Sequence, residues 1–239
     1  MITLYNADCL DVLKTVKSES IDLVVTDPPY RTISGGNKSE KWKSGYSSSV
    51  LYKNDGKIFE YNSITFEEWI PEVYRVLKDG THFYCMTNTI NLCKIVEVAT
   101  ECGFYLHNIL VWEKNTANTN RWYMKNCEYT LFFKKGRAKT INNPSSKTVH
   151  SFNNPIDKKH PTEKPVELME LYVSNSSNEG ETVLDLFMGS GATGVACKNL
   201  NRNFIGVEIS KEYYRIALQN INDVHNVETV KITKKKKLI

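Results

Sequence analysis

The sequence predicts an α/β protein in which a mainly parallel sheet is flanked by helices and carries an antiparallel hairpin at its edge. Three observations predict it. Short apolar runs rich in valine, isoleucine and aromatics alternate with segments of helical period, the pattern of strand–helix units. Two of these runs end in chemistry-bearing turns, Asp27-Pro28-Pro29-Tyr30 and Met188-Gly189-Ser190-Gly191. Two consecutive runs, 106–113 and 129–133, have no helical pattern between them and therefore read as a hairpin with a long tip.

In chain order, the strands are expected at 2–5, 21–26, 81–86, 106–113, 129–133, 182–187 and 203–208. Helices are expected at 9–17, 66–78, 90–102, 165–175, 192–200 and 210–221. Turn residues bound several of them, such as Asp79-Gly80 after Leu77 and Gly103 after Cys102, and Pro165 suits a first helical turn. The polar stretches 31–64, 114–128 and 134–163 interrupt the alternation. With 239 residues and 41% hydrophobic content, the chain reads as one domain, 1–239, with insertions 31–64 and 134–163 and a basic tail, 231–239.

The net charge of +4 is mild for an electrostatic nucleic-acid binder, so its distribution matters more. Lys134, Lys135, Arg137, Lys139, Lys147, Lys158 and Lys159 stand against one acid, Asp157, which predicts phosphate contacts along 134–159. The six cysteines form no C-x-x-C pair, so neither a zinc site nor a disulfide framework is expected, and no metal is assigned. Without a signal-like start or a run of 18 apolar residues, the expectation is a cytoplasmic protein with no membrane partner.

Val183-Leu184-Asp185-Leu186-Phe187 reads as a buried strand entering a glycine turn and then a helix, a unit whose backbone can pass close to a ligand. Glu208 closes the next strand about twenty residues on, where a carboxylate can accept the hydroxyls of a ribose. Gly189, Gly191 and Gly194 keep the G-x-G-x-x-G spacing of a nucleotide-binding turn, and no P-loop lysine is present. The expected ligand is a nucleoside without a pyrophosphate, in preference to NAD or ATP. Too little chain follows Glu208 to complete a sheet, so 2–5 should lie beside its strand. That places Asp8 on the same carboxyl edge, either as an acceptor for an adenine amino group or simply as the cap of 9–17.

Asp22-Leu23-Val24-Val25-Thr26 is a second buried strand, and Asp27-Pro28-Pro29-Tyr30 ends it. The two prolines fix the backbone and offer no N–H, leaving the Asp27 carboxylate and the Pro28 carbonyl as convergent acceptors. Such a pair can hold both hydrogens of an aromatic amino group and turn its lone pair toward an electrophile. Tyr30 can stack on the base, which must be flipped out of a duplex to reach this pocket. No Pro-Cys dipeptide is present, which argues against covalent attack on a cytosine ring.

With these motifs the sequence resembles the amino-group DNA methyltransferases, in the permuted class where D-P-P-Y precedes the glycine loop. The shared residues are Asp27 to Tyr30, the Asp185-x-Phe187-x-Gly189-Ser190-Gly191 loop, Glu208, Asp8, and His160-Pro161-Thr162-Glu163-Lys164-Pro165. The resemblance implies a Rossmann-like fold using S-adenosylmethionine and a catalytic set of Asp27, Pro28, Pro29 and Tyr30. It also implies a cofactor-binding set of Asp8, Cys9, Asp27, His160, Thr162, Lys164, Asp185, Phe187, Gly189, Ser190, Gly191, Thr193 and Glu208. Thr162 and Lys164 would meet the cofactor's methionine carboxylate. Trp112-Glu113-Lys114 and Cys127-Glu128-Tyr129 would flank the target base.

D-P-P-Y goes mostly with adenine N6, so the implied reaction is direct methyl transfer to adenine N6 in DNA, with cytosine N4 as the alternative. RNA base methylation fits less well, because such enzymes usually place the glycine loop first. A catalytically idle DNA-binding homologue fits least. The partners implied are a DNA duplex with a flipped base, a homodimer mate and a companion restriction nuclease. Only about 25 residues, 135–159, stand where relatives carry a recognition segment, so recognition would also draw on 31–64 and on Arg121-Trp122-Tyr123 at the hairpin tip.

Overall fold

The structure is a computed structural model that describes residues 1–29, 64–118, 123–155, 163–222 and 228–230. Strands β1 (Ile2–Tyr5), β2 (Ile21–Thr26), β3 (Leu77–Thr87), β4 (Phe104–Asn118), β5 (Lys125–Lys135), β6 (Val149–Phe152), β7 (Thr182–Asp185), β8 (Asn203–Val207) and β9 (Glu228–Val230) form one sheet. Its order is β6-β4-β5-β3-β2-β7-β8-β1-β9. The helices are α1 (Cys9–Leu13), α2 (Phe66–Val76), α3 (Leu92–Glu101), α4 (Val166–Ser176), α5 (Ala192–Asn199) and α6 (Lys211–Asn222). The chain divides into two compact units, Met1–Pro28 with Thr65–Ile239, and Pro29–Ile64; the sheet belongs to the first.

From β3 to β9 the strands run parallel, and β1 pairs with β8, so the N-terminal segment completes the sheet as its position in the sequence implied. The side chains alternate between two apolar layers. Leu23, Val25, Tyr84, Val183 and Phe204 face a cluster with Leu168, Met169, Tyr172 and Val173 of α4, Ala196 and Cys197 of α5, and Ala217 and Ile221 of α6. The period-2 pattern leaves Val24, Phe83 and Leu184 for the other face, where Trp69 meets Phe83 edge-on at 6.1 Å.

The described structure departs from the sequence-based expectation in several places. The stretch 134–163 is not an insertion throughout: its first two residues finish β5, and Val149–Phe152 pairs in parallel with β4. The hairpin β4–β5 is consequently not the sheet edge, because β6 lies outside it. Helix α2 ends at Val76 instead of 78, since Leu77 is fully buried and pairs with Ile21. Tertiary burial there outweighs helical period. Helix α1 stops at Leu13, four residues short of the expected 17. Helix α4 starts at Val166, with Pro165 as its N-cap. Residues 231–239, and all of the expected insertion 31–64 except Ile64, lie outside the described residues.

Three lysines of the basic run have partners within the protein, while Lys158 and Lys159 lie outside the described residues. Because β5 is antiparallel to β3, pairing Thr87 with Tyr129 and His82 with Lys134, the chain leaves β5 at the amino edge of the parallel strands. Lys134 therefore sits roughly 16 Å down the sheet from the carboxyl edge, at five residues of strand rise. Lys134 lies over the Tyr105 ring, and Lys139 pairs with Glu181. Lys135, only 5% exposed, donates to the carbonyls of Tyr74 at 2.8 Å and Leu77 at 2.6 Å. It closes the C-terminus of α2, where unsatisfied carbonyls and the helix dipole favour a cation. Lys135→Met should therefore lower stability by about 1–3 kcal/mol in urea unfolding and leave the salt dependence of DNA affinity unchanged.

Candidate active site

The site forms where the direction of chain winding reverses. β2 and β7 are neighbours at the centre of the sheet. From β2 the chain passes through α2 to β3 on one side, and from β7 through α5 to β8 on the other. A crevice opens at the carboxyl ends of two strands that diverge in this way. Asp27 follows β2, Asp185 ends β7, Glu208 follows β8 and Asp8 lies just past β1, so the four acids share one edge.

Asp185 ties the two halves together. Its Oδ1 accepts from the Thr26 hydroxyl at 2.7 Å and from the Phe187 amide at 3.1 Å, and its Oδ2 accepts from the Thr193 hydroxyl at 2.7 Å. Burial pushes its carboxyl up to about 6 against these hydrogen bonds, with Asp27 adding to the rise. All three donors point at Asp185, so Asp185 and Thr193 act as a brace for the crevice. Thr26 was not singled out by sequence reasoning; its one signal was a hydroxyl closing the apolar run Leu23-Val24-Val25.

Asp27 presents two unlike oxygens. Oδ2 is paired with the Lys164 ammonium, whereas Oδ1 is enclosed and has no hydrogen-bond partner among the described residues. An enclosed carboxylate oxygen without a donor is costly unless a ligand supplies one. Burial pushes Asp27 above its ordinary value, Lys164 opposes the shift and Glu128 adds to it. Lys164, 7% exposed, also reaches Glu128 Oε2 at 3.4 Å, and Glu128 Oε1 takes the Lys114 ammonium. Thus the ammonium expected at the cofactor's carboxylate is engaged here by two protein carboxylates.

Glu208 lies across the crevice beside the glycine turn. Its Oε2 accepts from the Gly189 amide at 3.0 Å and its Oε1 from the Ser210 amide at 2.8 Å. Each oxygen has a second lone pair, so the pair can still accept two vicinal hydroxyls. Burial pushes Glu208 up to about 7 despite both amide bonds. Phe187 packs edge-on against the buried Trp69 at 5.4 Å, which steadies the turn from below. This set of groups suits a nucleoside: hydroxyl acceptors on Glu208, and a half-buried apolar ring, Phe187, two residues before the Gly189 amide that Glu208 holds.

Other expected residues have structural employment. Asp8 caps α1 through its Oδ1, 2.8 Å from the Leu10 amide. Cys9 is buried, and desolvation pushes its thiol up to about 12. Ser190 is buried, and its carbonyl accepts from Asn220 at 2.9 Å. Gly191 has φ +88°, and a Cβ there would meet Ala217 at 3.0–3.1 Å and Ile221 at 3.1 Å. Its side-chain direction is toward α6, so a bulky residue at 191 would disturb helix packing and would not serve as a plug for the crevice. Trp112 is 2% exposed and donates to the Phe152 carbonyl at 2.9 Å, a hairpin-core role that removes it as a brace for a base. Tyr30, His160 and Thr162 lie outside the described residues.

Comparison with known proteins bears on this geometry. The family of DNA methylases acting at N6 or N4 amino groups matches residues 21–219. The type II methyltransferase M2.LlaDCHI of Lactococcus lactis subsp. cremoris is 30% identical, over 92% of this chain and 88% of its own. M.HpaI of Haemophilus parainfluenzae, also a type II methyltransferase, is 29% identical over 92% of this chain and 74% of its own. The crystal structure of the M1.HpyAVI–SAM complex superposes with a TM-score of 0.68 at 29% identity, over 92% of this chain and 99% of that one. The fold and these relatives define an α/β methyltransferase whose crevice opens at the sheet switch point. The chain belongs to the N6/N4 DNA methylase family. No described helix is long and apolar enough to cross a membrane.

The raised Glu208 fixes a sign. A carboxyl whose folded value, about 7, exceeds its ordinary 4.5 adds stability at low pH that is lost as pH rises through about 7. Relative to the wild type, Glu208→Gln should therefore gain melting temperature between pH 5 and pH 7.5 in the ligand-free protein. The same substitution should weaken nucleoside binding by about tenfold or more, in line with a charge-assisted hydrogen bond, as read by calorimetry.

Proposed function

We propose that the protein transfers a methyl group from S-adenosylmethionine to N6 of an adenine flipped out of duplex DNA, with Asp27 as the principal acceptor. The observation that carries this reading is the enclosed Asp27 Oδ1, without a partner among the described residues, at the end of β2. S-adenosylmethionine, when bound, supplies a methyl group on a sulfonium, an electrophile that needs no further activation. Glu208 would hold its ribose hydroxyls and Phe187 would border its adenine. That M1.HpyAVI was solved with this donor at 29% identity supports the choice.

On the substrate side, Asp27 Oδ1 and the Pro28 carbonyl accept the two amino hydrogens and draw the nitrogen out of conjugation with the ring. The nitrogen lone pair then points along the line of transfer. When the N–C bond forms, the C–S bond breaks and its electron pair stays on sulfur. The amino nitrogen then carries excess positive charge and sheds a proton, for which Asp27 is the nearby acceptor. Positioning and a proton sink are the protein's contribution. Tyr30 is assigned to stacking on the flipped base and Thr162 to the donor's methionine end, as the resemblance implies.

Adenine is favoured over cytosine by the aspartate at the head of the tetrapeptide. The designation of the relatives as type II methyltransferases supports a companion restriction nuclease as partner. Asp27→Ala should lower methyl transfer by on the order of 10²–10³-fold while donor affinity, read by calorimetry, stays within a small factor. Digesting methylated DNA to nucleosides and separating them by chromatography should show N6-methyl-2′-deoxyadenosine as the one methylated nucleoside. A product of N4-methylcytosine would overturn the base assignment, and donor binding lost in Asp27→Ala would overturn the division of roles.

A further inference from the structure

Four charged side chains from four parts of the sheet form a row of alternating sign that ends on the acceptor. Lys114 comes from β4, Glu128 from β5, Lys164 from the segment just before α4, and Asp27 from the end of β2. The row sums to zero charge and is largely out of water, with side-chain exposures of 18%, 31%, 7% and 18% in that order. Removing such groups from water is expensive unless each is paired, and here every member is. A pair formed by Lys164 and Asp27 alone would already satisfy both charges, so the extension through Glu128 to Lys114 calls for an explanation.

We propose that Glu128 is a positioning residue for the reaction: it holds the Lys164 ammonium between two carboxylates, so that Lys164 orients Asp27 without fully neutralising it. This rests on the reading of Asp27 as the acceptor. A carboxylate bound by an undivided ammonium is a weak acceptor and a weak proton sink. An ammonium shared with a second carboxylate leaves more electron density on the first, which strengthens its bonds to the amino hydrogens. Lys114 in turn limits how much charge Glu128 withdraws, so the row sets the basicity of Asp27 from β4 and β5, which lie beyond β3 in the sheet.

The groups that act electrostatically on Asp27 are Lys164, Glu128 and Lys114, together with Asp185 of β7 and Cys85 of β3, each of which interacts with it. Glu128 raises Asp27 and Lys114 lowers it. The two therefore predict shifts of opposite sign, which a purely structural salt bridge does not.

The test is single-turnover methyl transfer from labelled donor to unmethylated genomic DNA, measured from pH 5.5 to 9 for the wild type, Glu128→Gln and Lys114→Met. Because transfer needs the ionised acceptor, rate falls on the acid side. Glu128→Gln should move that acid limb to lower pH by on the order of one unit and lower the plateau rate by about tenfold. Lys114→Met should move the limb to higher pH. Donor affinity should stay within about twofold in both, since neither touches the nucleoside side. Limbs that stay in place, or that move in the same direction, would overturn the proposal. If Glu128→Gln does not fold, the sign of the Lys114→Met shift decides alone. Asp27→Ala run in parallel separates the two layers: transfer retained there defeats the acceptor reading itself, whereas transfer lost there with unshifted limbs defeats only the role of Glu128.

Discussion

The carboxylate of Asp185 is held by the hydroxyls of Thr26 and Thr193 and by the Phe187 amide, and the geometry of the crevice depends on that three-way tie. A buried carboxylate is costly when it lacks donors, and here the donors come from the end of β2, the first turn of α5 and the glycine turn itself. The bond to Thr26 fixes the residue immediately before Asp27, so Asp27 cannot drift from the glycine turn without breaking a buried hydrogen bond. The bond to Thr193 fixes the start of α5. Beneath it, Gly191 and Gly194 let α5 approach α6, since a Cβ on Gly194 would come within 2.4 Å of Ile221. The catalytic and cofactor halves, 159 residues apart in sequence at Thr26 and Asp185, are joined as one rigid unit.

Three carboxylates, Asp27, Asp185 and Glu208, ring this crevice, and each is shifted upward chiefly by burial. They are stabilised differently, and the difference tracks what each has to do. Asp185 is met by two hydroxyls and an amide, neutral donors that come from three different parts of the fold. Glu208 is met by two backbone amides, which hold it in place and leave lone pairs facing outward. Only Asp27 is met by a cation, and only on one oxygen. Like charges held close together push one another toward the neutral form, so an unassisted Asp27 would be the weakest acceptor of the three. The Lys164 ammonium offsets this repulsion at the one position where an ionised carboxylate is needed.

Much of the fold was legible in the sequence because its signals are local. The buried strands of β2 and β7, the turns that end them, and the shortage of chain after Glu208 sufficed to place β1 beside β8. What escaped was set by tertiary context. Val149-His150-Ser151-Phe152 is too short and too evenly half-exposed to announce β6. Leu77 carries a helical period and yet joins a strand, because the core closes over it. The lysines of 134–139 have the composition of a phosphate-binding stretch, but the antiparallel run of β5 carries them to the amino edge, where Lys135 and Lys139 take protein partners. The site was legible as residue types, with Asp27, Asp185 and Glu208 all at the carboxyl edge. It was not legible as partnerships: no spacing rule links Lys164 to Asp27 across 137 residues.

That same antiparallel run explains why the charge row exists where it does. Parallel strands bring only their C-terminal ends to the crevice, where Asp27, Asp185 and Glu208 stand. A hairpin brings up one strand and takes back another, so β4 and β5 contribute Lys114 and Glu128 side by side at this edge, and their remaining residues continue past it toward the tip. Thr87 pairs with Tyr129 next to Glu128, which ties the hairpin to the central sheet at the level of the acceptor. The element that projects beyond the edge is therefore the same one that supplies the carboxylate sharing Lys164. Any displacement of the hairpin changes the distance from Glu128 to Lys164, and with it the charge left on Asp27. In this architecture the position of the hairpin and the strength of the acceptor are one variable.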